Sequence, residues 1–111
     1  MIKEITEIKT LAEMEEFFTD QSFKTFFSDH EIKFVENKNQ IKSLGARYLI
    51  KKSILDYFQL EDDYRDIEIK YGTNGKPELY LHGELQKKIQ QNIQISLSHS
   101  RNFISTLVVI E

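Results

Sequence analysis

Three short stretches of this chain carry side chains whose types and spacing could do chemistry. The first is Gly45–Phe58, GARYLIKKSILDYF, where Arg47 and Lys51 stand four apart, as do Lys52 and Asp56. Residues four apart share one face of an α-helix. Two cations on a half-buried face could hold a polyphosphate through charge-assisted hydrogen bonds. The same spacing fits plain snorkelling, with apolar stems buried and charged heads in water. Lys52 and Asp56 fit a surface ion pair, worth about a few tenths of a kcal/mol. The second stretch, Gly75-Lys76-Pro77, offers backbone amides and an ammonium to a phosphate, or forms a simple hairpin turn. It lacks the glycine spacing of a P-loop. The third, Ser96-Leu-Ser98-His99-Ser100, sits where a strand gives way to a loop. His99 could exchange a proton near neutral pH, or hold structure by hydrogen bonding. Ser98 and His99 make a poor nucleophile–base pair, because neighbours on a strand point to opposite faces.

Carboxylates are abundant, but no His/Asp/Glu cluster has metal-ligand spacing. Glu4 and Glu7 read first as solvated strand residues. His30 and His82 read as a helix-start and a loop residue.

The elements that must position these groups follow from periodicity and turn chemistry. Ile2–Ile8 alternates as a strand. Thr10-Leu-Ala-Glu13 and Ser28-Asp-His-Glu31 are capping-box patterns, predicting helices to about Phe18 and about Asn37. Phe23, Phe26 and Phe27 lie between, packing a turn onto the core. A longer helix is predicted from Gln40 to Phe58. Leu44, Tyr48 and Leu55 form one apolar stripe on it, and Ala46, Ile50, Ile54 and Tyr57 another, so it should be buried on two sides. Asp66–Lys70 and Glu78–Leu81 read as a hairpin around Gly72-Thr-Asn-Gly75, with Pro77 at a strand start. Glu84–Gln91 reads as a polar helix. Ile93–Leu97 and Phe103–Ile110 are the last strands. The order β-α-α-α-β-β-α-β-β predicts an α+β domain over 1–111 with a largely antiparallel sheet.

Composition narrows the function classes. A chain of 111 residues supports one modest core. A net charge of -3, with both signs interspersed, argues against a broad nucleic-acid surface. The absence of cysteine excludes a disulfide framework and a thiolate metal site, and suits the cytoplasm. No apolar run reaches the roughly 20 residues of a membrane span, and MIKEITEIKT has no apolar signal core.

Taken in order, these stretches resemble the 4′-phosphopantetheinyl transferase family, in its short holo-acyl-carrier-protein synthase type. The matching residues are Glu4-Ile-Thr-Glu-Ile8, Arg47-Tyr-Leu-Ile-Lys-Lys-Ser53, Asp66-Ile-Glu-Ile69, Gly75-Lys-Pro77 and Ser96-Leu-Ser-His99. The resemblance implies that family's fold, and magnesium-dependent transfer of phosphopantetheine from coenzyme A to a carrier-protein serine. It implies coenzyme A contacts at Arg47, Gly75, Lys76, Pro77, Ser98 and His99, with Lys51 near the reacting phosphate. It implies an acyl carrier protein as partner, and a site between subunits of a homotrimer. It places Mg2+ between two acids that match Glu4 and Lys52. The second match has the wrong sign, since a lysine cannot bind a cation. Asp56 falls where many members carry lysine, so this helix edge is sign-reversed. Three readings stay open: a divergent transferase using Lys52 as a catalytic cation, a non-catalytic binder of coenzyme A or a carrier protein, and a small assembly protein without a ligand.

Overall fold

Two reciprocal caps start the helices that surround the long central one. Thr10 Oγ1 accepts from the Glu13 amide at 3.1 Å, while Glu13 Oε1 accepts from the Thr10 amide at 3.3 Å. Ser28 and Glu31 repeat the arrangement at 3.2 and 3.1 Å. Both capping boxes read from the sequence are therefore formed. The computed structural model describes residues 1–19, 23–34 and 40–111, the side chains of Phe23 and Lys24 excepted.

The elements in chain order are β1 (Lys3–Thr10), α1 (Leu11–Thr19), α2 (Phe23–Phe26), α3 (Asp29–Phe34), α4 (Gln40–Phe58), β2 (Ile67–Tyr71), β3 (Pro77–Leu81), α5 (Gly83–Lys88), β4 (Ile93–His99) and β5 (Phe103–Ile110). A 3-10 turn at Tyr64–Asp66 precedes β2. The class is α+β, as predicted, with three refinements. The segment around Phe23 is a helical turn, α2, rather than a plain turn. The strands form two antiparallel sheets, β1-β5-β4 and β2-β3, rather than one. Strand β4 runs on to His99, so Ser98 and His99 end the strand instead of opening the loop. The predicted end of α3, at Val35–Asn37, lies outside the described residues.

Register places one face of each strand inward. In β5, Ile104, Thr106, Val108 and Ile110 are buried, and the residues between them face outward. In β1, Ile5, Glu7 and Lys9 are partly covered, whereas Glu4, Thr6 and Ile8 are exposed. Helix α4 lies across this inner face and is covered on nearly every side. Lys52, Asp56 and Tyr57 are its exposed residues. Tyr57 thus departs from the apolar stripe assigned to it: it is 43% exposed, beside the exposed Asp56.

Two apolar clusters sit on either side of α4. Ile50, Ile54 and Leu55 pack with Ile67, Ile69, Leu85 and Val108. Leu44, Ala46 and Leu49 pack with Met14, Phe18, Phe27 and Ile104. Gly45 allows the close approach on the second side, since a Cβ there would stand 2.9 Å from Ile104 Cδ1. The hairpin turns at Gly75 with φ +79, a left-handed conformation that favours glycine. No helix among the described residues is long and apolar enough to cross a membrane.

Candidate active site

The adjacent lysines of α4 have opposite environments, because one helical step turns a side chain by about 100°. Lys51 points under the helix, where it is fully buried. Its ammonium donates to Glu31 Oε1 at 2.6 Å and to the Phe26 carbonyl at 2.8 Å, and lies 4.9 Å from the Phe27 ring centroid. Arg47, one turn earlier, is 1% exposed. It donates to the Ile69 carbonyl at 3.4 Å and to Ser43 Oγ at 3.0 Å, with its guanidinium over the Phe34 and Tyr71 rings. Its Nε is 3.7 Å from Glu31 Oε2. Burial pushes both cations below their ordinary pKa values, and the Glu31 charge opposes that shift. The sequence left two readings for this face, a phosphate clamp or snorkelled heads in water. The heads are not in water, because Glu31 turns both charges inward.

Glu31 is a residue whose weight sequence reasoning missed. It caps α3, neutralises two cations of α4, and accepts from the Ile69 amide of β2 at 3.1 Å. Its capping-box position was visible, but its partners are 16 to 38 residues away in the chain.

Lys52 points the other way, into a cleft of about 430 Å³. Glu7 and Lys9 of β1 form one wall, Glu13, Met14 and Phe17 of α1 the second, and Tyr48, Leu49 and Lys52 of α4 the third. The Lys52 ammonium donates to Asp56 Oδ2 at 2.7 Å. That hydrogen bond holds its pKa above the ordinary lysine value, against slight desolvation, with the charges of Asp56 and Glu7 assisting. Lys9 faces Glu13 across 3.8 Å. Tyr48 stacks on Tyr64, and burial is the main cause that pushes its phenol up to about 12. The floor is therefore apolar and uncharged, and the rim carries two ammonium groups, Lys9 and Lys52, with the carboxylates of Glu7 and Glu13.

The remaining predicted residues lie elsewhere. Lys76 and Pro77 line a groove of about 650 Å³ between β3 and β4, shared with Ile93, Ile95 and Ser96. Ser98 faces the outer side of the three-stranded sheet beside Ser105 and Thr6. His99, its neighbour on β4, opposes Ile104 and is exposed. One copy of the chain thus gathers Lys76, Pro77 and Ser96 at one groove and leaves Lys52 at another.

The two positions at which the resemblance implies a divalent cation do not form a pair of acids here. Glu4 lies on the outer face of β1, whereas Lys52 faces the acid of opposite strand parity, Glu7. The second expected ligand is an ammonium already bonded to Asp56. Among the described residues, no group of three His, Asp or Glu side chains could hold a metal. The parity that separates Glu7 from Glu4 was legible in the alternation of β1.

A second polar network was not anticipated. Glu68 of β2 accepts from Ser28 Oγ at 2.5 Å and meets His82 Nε2 at 2.6 Å. Burial raises the Glu68 carboxyl, but the bonds from Ser28 and His82 outweigh it and hold the group below the usual carboxylate range.

These elements, with a buried charged helix crossing a three-stranded sheet, define the 4′-phosphopantetheinyl transferase fold. It is the short form found in holo-acyl-carrier-protein synthases. The ACPS–CoA complex of Chronobacterium ammoniagenes superposes with TM-score 0.87 at 17% identity, covering 100% of this chain and 97% of that one. The Helicobacter pylori holo-[acyl-carrier-protein] synthase, in complex with coenzyme A, gives 0.78 at 23%, with 100% of both chains covered. The Neisseria meningitidis synthase gives 0.84 at 21%, covering 100% and 99%. In sequence, the holo-[acyl-carrier-protein] synthase of Borrelia garinii is 23% identical over 107 residues, 88% of this chain and 81% of that protein. No protein-family model matches the chain.

Proposed function

We propose that this chain transfers 4′-phosphopantetheine from coenzyme A to a serine of an acyl carrier protein. The observation that carries the reading is the likeness of the whole fold to synthases solved with coenzyme A bound. In the reaction, the serine oxygen bonds to the β-phosphorus of coenzyme A. The bond from that phosphorus to the bridging pyrophosphate oxygen breaks, 3′,5′-ADP leaves with the electron pair, and the hydroxyl proton passes to solvent. Such a transfer needs positioning and charge stabilisation more than covalent help from the protein.

Lys52 is the cation available to a phosphate in the α4 cleft, with Lys9 at the opposite rim. Gly75, Lys76 and Pro77 serve the nucleotide from the β3 side, and Ser98 and His99 from the end of β4. Arg47 and Lys51 act as positioning residues that keep α4 seated on Glu31. The cleft and the groove become one site when neighbouring copies adjoin, so the reading includes a homotrimer. It sets the chain in the cytoplasm, beside coenzyme A and its carrier protein, and includes neither nucleic acid nor a membrane as partner.

The test is mass spectrometry of an apo-acyl carrier protein incubated with the purified chain and coenzyme A. The expected result is a gain of one phosphopantetheine on one serine. No gain under any condition overturns the reading. A second reading, binding of coenzyme A or a carrier protein without turnover, is favoured by the Lys52–Asp56 pair, which reverses the charges of a metal-binding helix edge. Calorimetric binding of coenzyme A without transfer would support it.

A further inference from the structure

We infer that the phosphate site of this chain works without a divalent cation, with the Lys52 ammonium in the place a metal would take. The inference rests on the transferase reading and adds the nature of its electrophilic group. Four observations carry it. Lys52 stands on the exposed edge of α4 and lines the cleft, where its side chain is 47% exposed. Asp56, one turn on, holds the ammonium at 2.7 Å and so fixes its direction without burying it. Glu7, on the inner face of β1, adds its charge to the same ammonium. Glu4, the other acid expected at a metal, projects from the far face of the sheet.

The ammonium carries one positive charge where a divalent cation carries two, and Asp56 and Glu7 offset it. What the ammonium lacks is an octahedral template. Orientation must then come from the protein, here from the Lys9 ammonium across the cleft and from Asp56, which accepts from Lys52 and fixes its direction. Lys52 is the phosphate-contacting residue, and Asp56 is a positioning residue that acts through it.

The experiment compares transfer to apo-acyl carrier protein in EDTA and in magnesium, alongside calorimetry of coenzyme A under both conditions. Transfer and binding in EDTA should lie within about twofold of their values in magnesium. Lys52→Gln should lower transfer by about 100-fold, the cost of losing one preorganised charge-stabilising donor, and Lys52→Arg should restore part of it. The pair Lys52→Glu with Asp56→Lys keeps the helix-edge ion pair with its sign exchanged. It should lose activity in EDTA and regain it in magnesium. Transfer that needs magnesium in the unmodified chain overturns the inference while leaving the transferase reading intact. Absence of transfer in both conditions overturns the transferase reading instead. In that case, coenzyme A binding in EDTA that Lys52→Gln weakens about tenfold upholds the ammonium, and binding indifferent to Lys52→Gln, or no binding, overturns it.

Discussion

Lys51 Nζ lies 2.6 Å from Glu31 Oε1, and neither side chain reaches water. This pair joins α4 to α3, and through the Ile69 amide to β2, at a point where the two apolar clusters meet. A buried ion pair contributes little net stability, because desolvation offsets attraction. Its value is positional: with both partners in place, α4 can present Lys52 outward in only one rotation.

Breaking the pair should be costly. Glu31→Gln leaves the Lys51 ammonium and Arg47 guanidinium buried beside a neutral group, and removing one partner of such a pair costs about 3–5 kcal/mol. Urea unfolding should show that loss. A change below about 1 kcal/mol would mean that both cations find water or other partners.

Adjacent lysines should separate stability from binding. Lys51→Gln should destabilise the fold, since Glu31 and the Phe26 carbonyl lose a charged donor. Lys52→Gln should change stability by about 0.5 kcal/mol or less, as an exposed ion pair does. Coenzyme A affinity should respond in the opposite order. Thermal unfolding and calorimetry on the same two variants check this, and equal behaviour of the two would contradict the opposed environments.

Stability should fall in acid partly through Glu68. Its folded pKa is depressed below the ordinary 4.5, so its contribution is present above that value. As pH falls through the lower folded value, protonation removes the bonds from Ser28 and His82 that favour the carboxylate. Midpoints of thermal unfolding between about pH 6 and pH 3 should therefore decline less steeply in Glu68→Gln than in the unmodified chain. Parallel curves would rule Glu68 out as a contributor.

One substitution should stabilise. The Thr106 hydroxyl on β5 is buried without a hydrogen-bond partner among the described residues. Replacing an unsatisfied buried hydroxyl with a methyl of the same shape removes its desolvation cost. Thr106→Val should raise unfolding free energy by about 1 kcal/mol. A loss in urea unfolding would reveal an unseen partner for that oxygen.

Much of the fold was legible in the chain because its signals are local. The capping boxes Thr10–Glu13 and Ser28–Glu31, the bounds of α4 and the span of β5 follow from contacts within a few residues. The turn at Gly75 and the start of β3 at Pro77 follow from backbone conformations that glycine favours and proline restricts. Helical spacing placed Arg47 with Lys51, and Lys52 with Asp56, and both pairings hold. The directions of those pairs were not legible. Spacing says which residues share a face, but the burial of a charge depends on what packs against that face. Here the deciding partner is Glu31, 20 residues from Lys51, with the amide of Ile69 a further 38 residues on from Glu31. The sequence alone determined that Lys52 is a cation, at a position where the resemblance implies an acid. Only the tertiary structure decided that this cation faces an open cleft while its neighbour Lys51 is buried, because long-range packing sets the rotation of α4.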